Sequence, residues 1–145
     1  MNETASKTPT ASTVKTYAGG CLCGAVRFEA ELDLASPVGR CNCTICTKLS
    51  SAGLIVKPSA FRLVSGEESL SRFSARAGSP NHRAFCKHCG VLCYGAGDVP
   101  ELGGAFRSVS VNCLEGVDPS KLTYQYWDGR HDNWAAGPRS TPWPV

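Results

Sequence analysis

Residues 19–33 read GGCLCGAVRFEAELD, and two features within them set the fold. Val26, Phe28, Ala30 and Leu32 alternate with Arg27, Glu29, Glu31 and Asp33, the period-two pattern of a half-buried strand. Just upstream, Cys21 and Cys23 sit one residue apart in a glycine-flanked turn. Working outward, further strands are expected at 54–57, 61–64, 69–74, 83–85, 91–94, 107–113 and 122–128. In the sixth of these Arg107, Val109, Val111 and Cys113 share a face, and in the last Leu122, Tyr124 and Tyr126 do. Ser36-Pro37, Ser65-Gly66, Gly78-Ser79-Pro80 and Gly103-Gly104 punctuate the gaps. A single short helix is expected from Thr44 to Leu49. Many short strands separated by turn signals give a mainly β domain.

The two ends read differently from the middle. Residues 1–16, MNETASKTPTASTVKT, hold too few apolar side chains to dock and are expected to form a flexible tail. They also lack the apolar segment of a secretory signal, so a cytoplasmic, reducing environment is expected. Residues 17–145 then form one domain. Its last stretch, 129–145, has three prolines and two tryptophans and reads as an extended arm anchored by Trp134 and Trp143. Nowhere do about 20 apolar residues run together as a membrane span requires. The formal net charge of +3 comes without a Lys/Arg cluster, so no nucleic-acid partner is expected.

Nine cysteines in 145 residues are fewer than the ~8–10% of a secreted disulfide scaffold, and an odd number cannot pair completely. Seven of them fall into three groups: Cys21/Cys23, Cys41/Cys43/Cys46 and Cys86/Cys89. Zinc prefers four tetrahedral ligands, and two cysteine pairs in tight turns complete such a site with no room for substrate. Cys21 and Cys23 are therefore expected to join Cys86 and Cys89 around a structural Zn²⁺; Gly24 and Gly90 supply the turns. His88, between the last two cysteines, reads as an exposed residue. The middle C-x-C-x-x-C offers only three thiolates, the donor set of a metal with an open fourth position. Closure by Cys113, His82 or His131, or a pair of reactive thiols without metal, are the alternatives. Cys93 and Cys113 lie in apolar patterns and read as buried packing residues. Mononucleotide, dinucleotide and serine-hydrolase motifs are absent.

Gly20-Cys21-Leu22-Cys23-Gly24-Ala25-Val26, Cys41-x-Cys43-Thr44-x-Cys46 and Phe85-Cys86-x-x-Cys89-Gly90, in this order and spacing, resemble the glutathione-dependent formaldehyde-activating enzyme (GFA) family, which includes the centromere protein V domain. The resemblance spans nearly everything after the tail. It implies a β-tent zinc fold of short antiparallel strands, a structural zinc on Cys21, Cys23, Cys86 and Cys89, and a second zinc on Cys41, Cys43 and Cys46 near a glutathione site. The implied activity is that of a carbon–sulfur lyase, joining glutathione to formaldehyde as S-hydroxymethylglutathione or reversing that step. Arg40 and Lys48 flank the middle cysteines and can meet the carboxylates of glutathione or its adduct. The family motif usually has histidine where this chain has Asn42, which can hydrogen-bond to substrate but cannot titrate. The alternative is a non-catalytic zinc module that binds a protein or another macromolecule.

Overall fold

The period-two stretch is buried as its pattern requires: Val26, Phe28, Ala30 and Leu32 are each at most 1% exposed. In the computed structural model, which describes residues 13–145, it forms β2 (Arg27–Asp33). The rest of the expected tail, residues 1–12, lies outside the described residues. β1 (Val14–Gly20) pairs antiparallel with β2, from Val14 opposite Asp33 to Gly20 opposite Arg27. Strand pairing therefore reaches into the segment expected to be tail. β1 is a largely exposed edge strand, so it needs no apolar alternation and gave no sequence signal. β5 (Phe61–Ser65) completes this three-stranded sheet in the order β1-β2-β5.

The other strands form one larger sheet. They are β3 (Val38–Cys41), β4 (Gly53–Val56), β6 (Leu70–Phe73), β7 (His82–Cys86), β8 (Leu92–Val99), β9 (Gly104–Ser110) and β10 (Tyr124–Trp127). Their order is β10-β3-β4-β9-β8-β7-β6. The one α-helix among the described residues, α1, covers Thr44–Leu49 as expected. Three expectations are corrected. The strand placed at 107–113 stops at Ser110, and Val111–Cys113 turn into a 3-10 segment whose Val111 N–H donates to Ala52 O at 3.1 Å. β8 runs on to Val99, five residues past its expected end. The sheet is also not wholly antiparallel: β10 lies parallel to β3, with Trp127 opposite Cys41. Such a pair needs a long crossover, and the chain between β3 and β10 provides one.

The core lies between the two sheets. Phe61 bridges them, its ring centroid 5.3 Å from Phe28 and 4.5 Å from Tyr94. Cys93 (0% exposed) and Cys113 (8%) belong to this core, and their thiols face the carbonyls of Val91 and Leu92. Both are packing residues, as expected. The terminal segment 129–145 contains two 3-10 turns, Gly129–His131 and Trp134–Ala136, so it is less extended than its prolines suggested. No helix is long and apolar enough to cross a membrane among the described residues.

Candidate functional site

Cys21 and Cys23 occupy the turn from β1 to β2, and Cys86 and Cys89 the turn from β7 to β8. Each turn is closed by backbone bonds: Cys21 N–H to Val26 O at 3.1 Å, and Gly90 N–H to Cys86 O at 2.8 Å. Gly24 and Gly90 take φ of +87° and +78°, the left-handed region that a β-carbon disfavours. The four sulfurs come within 4.8 Å of one another; Cys23 Sγ is 3.6 Å from Cys21 Sγ and 3.7 Å from Cys86 Sγ. A tetrahedron with Zn–S near 2.3 Å has edges of about 3.8 Å, so the donor set fits zinc in both chemistry and size. The amides of Val26 and His88 point at Cys21 Sγ (3.3 Å) and Cys86 Sγ (3.4 Å), as hydrogen bonds to thiolates do. His88 is exposed, as expected, and its Nε2 meets Ser69 Oγ at 3.2 Å.

The second group is built on a strand end and a helix start. Cys41 closes β3, Cys43 is the N-cap of α1, and Cys46 lies in its first turn. Cys46 N–H donates to Cys43 Sγ at 3.3 Å, and Cys43 N–H to Cys41 Sγ at 3.5 Å. The three sulfurs lie within 4.8 Å of one another, and among the described residues no fourth His, Cys, Asp or Glu joins them. The expected alternatives for closure are accounted for elsewhere. His82 Nδ1 contacts Pro80 O, His131 Nδ1 contacts Asp128, and Cys113 Sγ contacts Leu92 O. Contact with Cys46 holds the Cys41 thiol down at about 5, while the same contact and burial push Cys46 far up. Thiols crowded in this way are all charged together only with a cation among them.

The parallel pairing of β10 with β3 delivers a polar network to this cluster. Asp128, 5% exposed, accepts from Asn42 Nδ2 (2.8 Å) and His131 Nδ1 (2.7 Å) on one oxygen, and from Asn133 Nδ2 (3.3 Å) on the other. Burial opposes its ionisation, but those three hydrogen bonds outweigh burial and hold the carboxyl below its ordinary range. Arg130 N–H donates to Asn42 Oδ1 at 2.9 Å, and its guanidinium reaches Asn42 O (2.9 Å) and Thr44 Oγ1 (3.3 Å). A shallow cavity of about 170 Å³ lies past the end of α1, lined by Leu49, Ser50, Ser51, Leu92, Asn112 and Cys113 among others.

Among known proteins, residues 16–129 match the family described as glutathione-dependent formaldehyde-activating enzyme. The chain belongs to the GFA family. A Halomonas elongata protein named "Putative glutathione-dependent formaldehyde-activating enzyme" is 37% identical over 78 residues, 49% of this chain and 50% of that protein. The matched stretch thus spans half the length of that relative. A crystal structure of a Rhodobacter sphaeroides protein superposes with a TM-score of 0.65 at 29% identity, over 76% of this chain and 98% of that one.

Against the GFA motifs, the structure brings together both expected cysteine groups. The expected substrate contacts are placed less uniformly. Arg40 lies on β3 opposite Tyr126, half-buried, with no hydrogen bond or ion pair to its side chain among the described residues. Lys48 is exposed in the last turn of α1. Asn42 has its amide engaged within the protein: Nδ2 by Asp128 and by Pro144 O (3.1 Å), Oδ1 by Arg130. Sequence reasoning missed Asp128, Arg130 and, except as a metal ligand, His131. Only the i, i+3 spacing of Asp128 and His131 behind a strand signalled them, and it does not say which cysteines they face.

Proposed function

We propose that this GFA-family protein is a zinc-dependent carbon–sulfur lyase that forms or cleaves a glutathione–aldehyde adduct such as S-hydroxymethylglutathione. The observation that carries the reading is the middle cluster, three cysteine sulfurs with no fourth protein donor among the described residues, in a chain of the family described as glutathione-dependent formaldehyde-activating enzyme. In this reading Cys21, Cys23, Cys86 and Cys89 hold a structural zinc, and Cys41, Cys43 and Cys46 hold the ion that serves the reaction. Held by Cys41, Cys43 and Cys46, a zinc would acidify a substrate thiol. The chain's own residues do the rest. The amides of Cys43 and Cys46 fix two of the sulfurs, and the start of α1 sets the spacing of the third.

Glutathione also brings two carboxylates. Arg130 is tethered beside Asn42 and Thr44 with most of its N–H donors still free, and a pre-ordered guanidinium loses little freedom on pairing. With Arg40 and Lys48 it makes up the cationic surround. Pockets that enclose small molecules usually measure about 300–1,000 Å³. The 170 Å³ cavity past α1 is smaller than that, so in this reading glutathione binds at the surface by the cluster. A cytosolic location suits the reading, because seven metal-ligating thiols must stay reduced.

Elemental analysis together with glutathione titration tests the proposal. Wild type should carry two zincs, Cys43→Ser one with its fold intact, and the zinc-loaded wild type should bind glutathione and speed its addition to formaldehyde. One zinc in wild type, or adduct formation no faster than in buffer, overturns it. Glutathione-free zinc protein that instead retains a macromolecular partner would point to a binding module.

A further inference from the structure

His131 is the least explained polar side chain near the middle cluster. It is half exposed, with a side-chain exposure of 53%, yet it is joined at 2.7 Å to a carboxylate whose side chain is only 7% exposed. Because Asp128 is held ionised, it can only accept, so the proton between the two sits on His131 Nδ1. Nε2 is left with no protein partner among the described residues, on a side chain that is half exposed. A buried carboxylate that fixes the tautomer of a histidine and leaves its second nitrogen open is the arrangement by which proteins prepare an imidazole for proton transfer.

Its position ties it to the cysteines. His131 Nδ1 and Asn42 Nδ2 lie 2.7 and 2.8 Å from the same Asp128 oxygen, and Asn42 stands between Cys41 and Cys43. Two residues before His131, Gly129 packs so closely that a β-carbon there would sit 2.5 Å from Cys41 Sγ. Asp128 does not need His131 simply to be satisfied, since Asn42 and Asn133 already donate to its two oxygens.

We infer that His131, with its tautomer set by Asp128, is a further proton-transferring residue for the thiol–aldehyde addition; this rests on the lyase reading above. As the carbon–sulfur bond forms, the proton of the thiol passes to His131 Nε2 and the carbonyl π pair collects on oxygen. That oxygen then takes the proton from His131. The S–H and C=O π bonds are lost, C–S and O–H bonds are gained, and no oxidant or reductant takes part. Cleavage of the adduct runs the same transfers backward.

The test uses the zinc-loaded full chain, glutathione and formaldehyde. His131→Gln should keep two zincs and bind glutathione within about twofold of wild type, while adduct formation slows by about 10²-fold, the low end for general acid–base catalysis. His131→Ala should be equally slow and should recover in proportion to added imidazole, which a merely structural histidine would not do. Independently of turnover, a long-range ¹H–¹⁵N spectrum should show the Nδ1–H tautomer of His131, and Asp128→Asn should erode that preference. Wild type with no rate acceleration overturns the lyase reading and this inference together. A fast wild type matched by an equally fast His131→Gln, slow His131→Ala without imidazole rescue, or an Nε2–H tautomer overturns this inference alone.

Discussion

Asn42 shows how one side chain can tie a site together. Its amide donates to Asp128 and to Pro144 O and accepts from Arg130 N–H. A neutral histidine has one ring donor and one ring acceptor, so a histidine at this position could not make all three bonds. Asn42→His should therefore loosen the chain end without improving activity, costing about 1–2 kcal/mol for the hydrogen bonds lost. Faster amide exchange at Arg130, with two zincs still bound, would confirm this; unchanged exchange would refute it. Gly129 is as tightly constrained. A β-carbon there would meet Cys41 Sγ at 2.5 Å and the Trp134 ring at 2.8 Å, and neither can retreat freely, since one is a proposed ligand and the other packs on Trp127. Overpacking of this kind costs about 1–3 kcal/mol. Gly129→Ala should lower the melting temperature and release the middle zinc at a chelator concentration that leaves the four-cysteine zinc in place.

At the level of elements, the sequence revealed what depends on local pattern and hid what depends on distant pairing. β2 was legible because one of its faces is buried against the core. α1 was legible because its bounds follow from the C-x-x-C spacing and the helix formers behind it. β3 has four residues, one a glycine, and its register comes from β10 more than 80 positions away, so no local rule marks it. The same pairing carries Asp128, Arg130 and His131 to the cysteines, which is why the ligands could be read and their surroundings could not. β10 also needs protection, because it ends the seven-stranded sheet and an open edge invites association. The chain end supplies it. Tyr126 exchanges hydrogen bonds with Arg139 at 2.8 and 3.0 Å, Trp143 Nε1 donates to Tyr126 O at 2.8 Å, and the Arg139 guanidinium lies 3.8 Å from the Trp143 ring centroid. A chain ended at Gly137 should exchange the Tyr126 amide far faster while Leu54 and Val109 stay protected. It should also self-associate at concentrations where the full chain does not. Hydrogen exchange and light scattering would check both, and an unchanged Tyr126 amide would show that the arm is dispensable.

Across the whole molecule the two cysteine groups carry different mechanical loads. Cys21 and Cys23 leave the three-stranded sheet, while Cys86 and Cys89 belong to the seven-stranded one, so the proposed structural zinc ties the two sheets together. The middle cysteines lie within six residues of one chain segment, so a metal there closes only a local loop. The sheets are also joined by apolar contact through Phe28, Phe61 and Tyr94, which raises the question of which tie dominates. Structural zinc contributes about 10–16 kcal/mol in small zinc modules, whereas a domain of this size has a net stability of about 5–15 kcal/mol. Losing the whole zinc term would therefore remove about as much free energy as such a domain has to spare. Removing one of the four ligands also leaves three crowded thiols with a weaker hold on the ion that spans the two sheets. Cys86→Ser should accordingly be unfolded or molten by circular dichroism, and chelator titration of wild type should be biphasic. The middle zinc should leave first with the spectrum unchanged, and the second zinc should leave together with the β signal. Should Cys86→Ser instead keep the wild-type melting temperature, the apolar seam alone would be holding the sheets, and the four-cysteine site would have to be read as something other than a structural clasp.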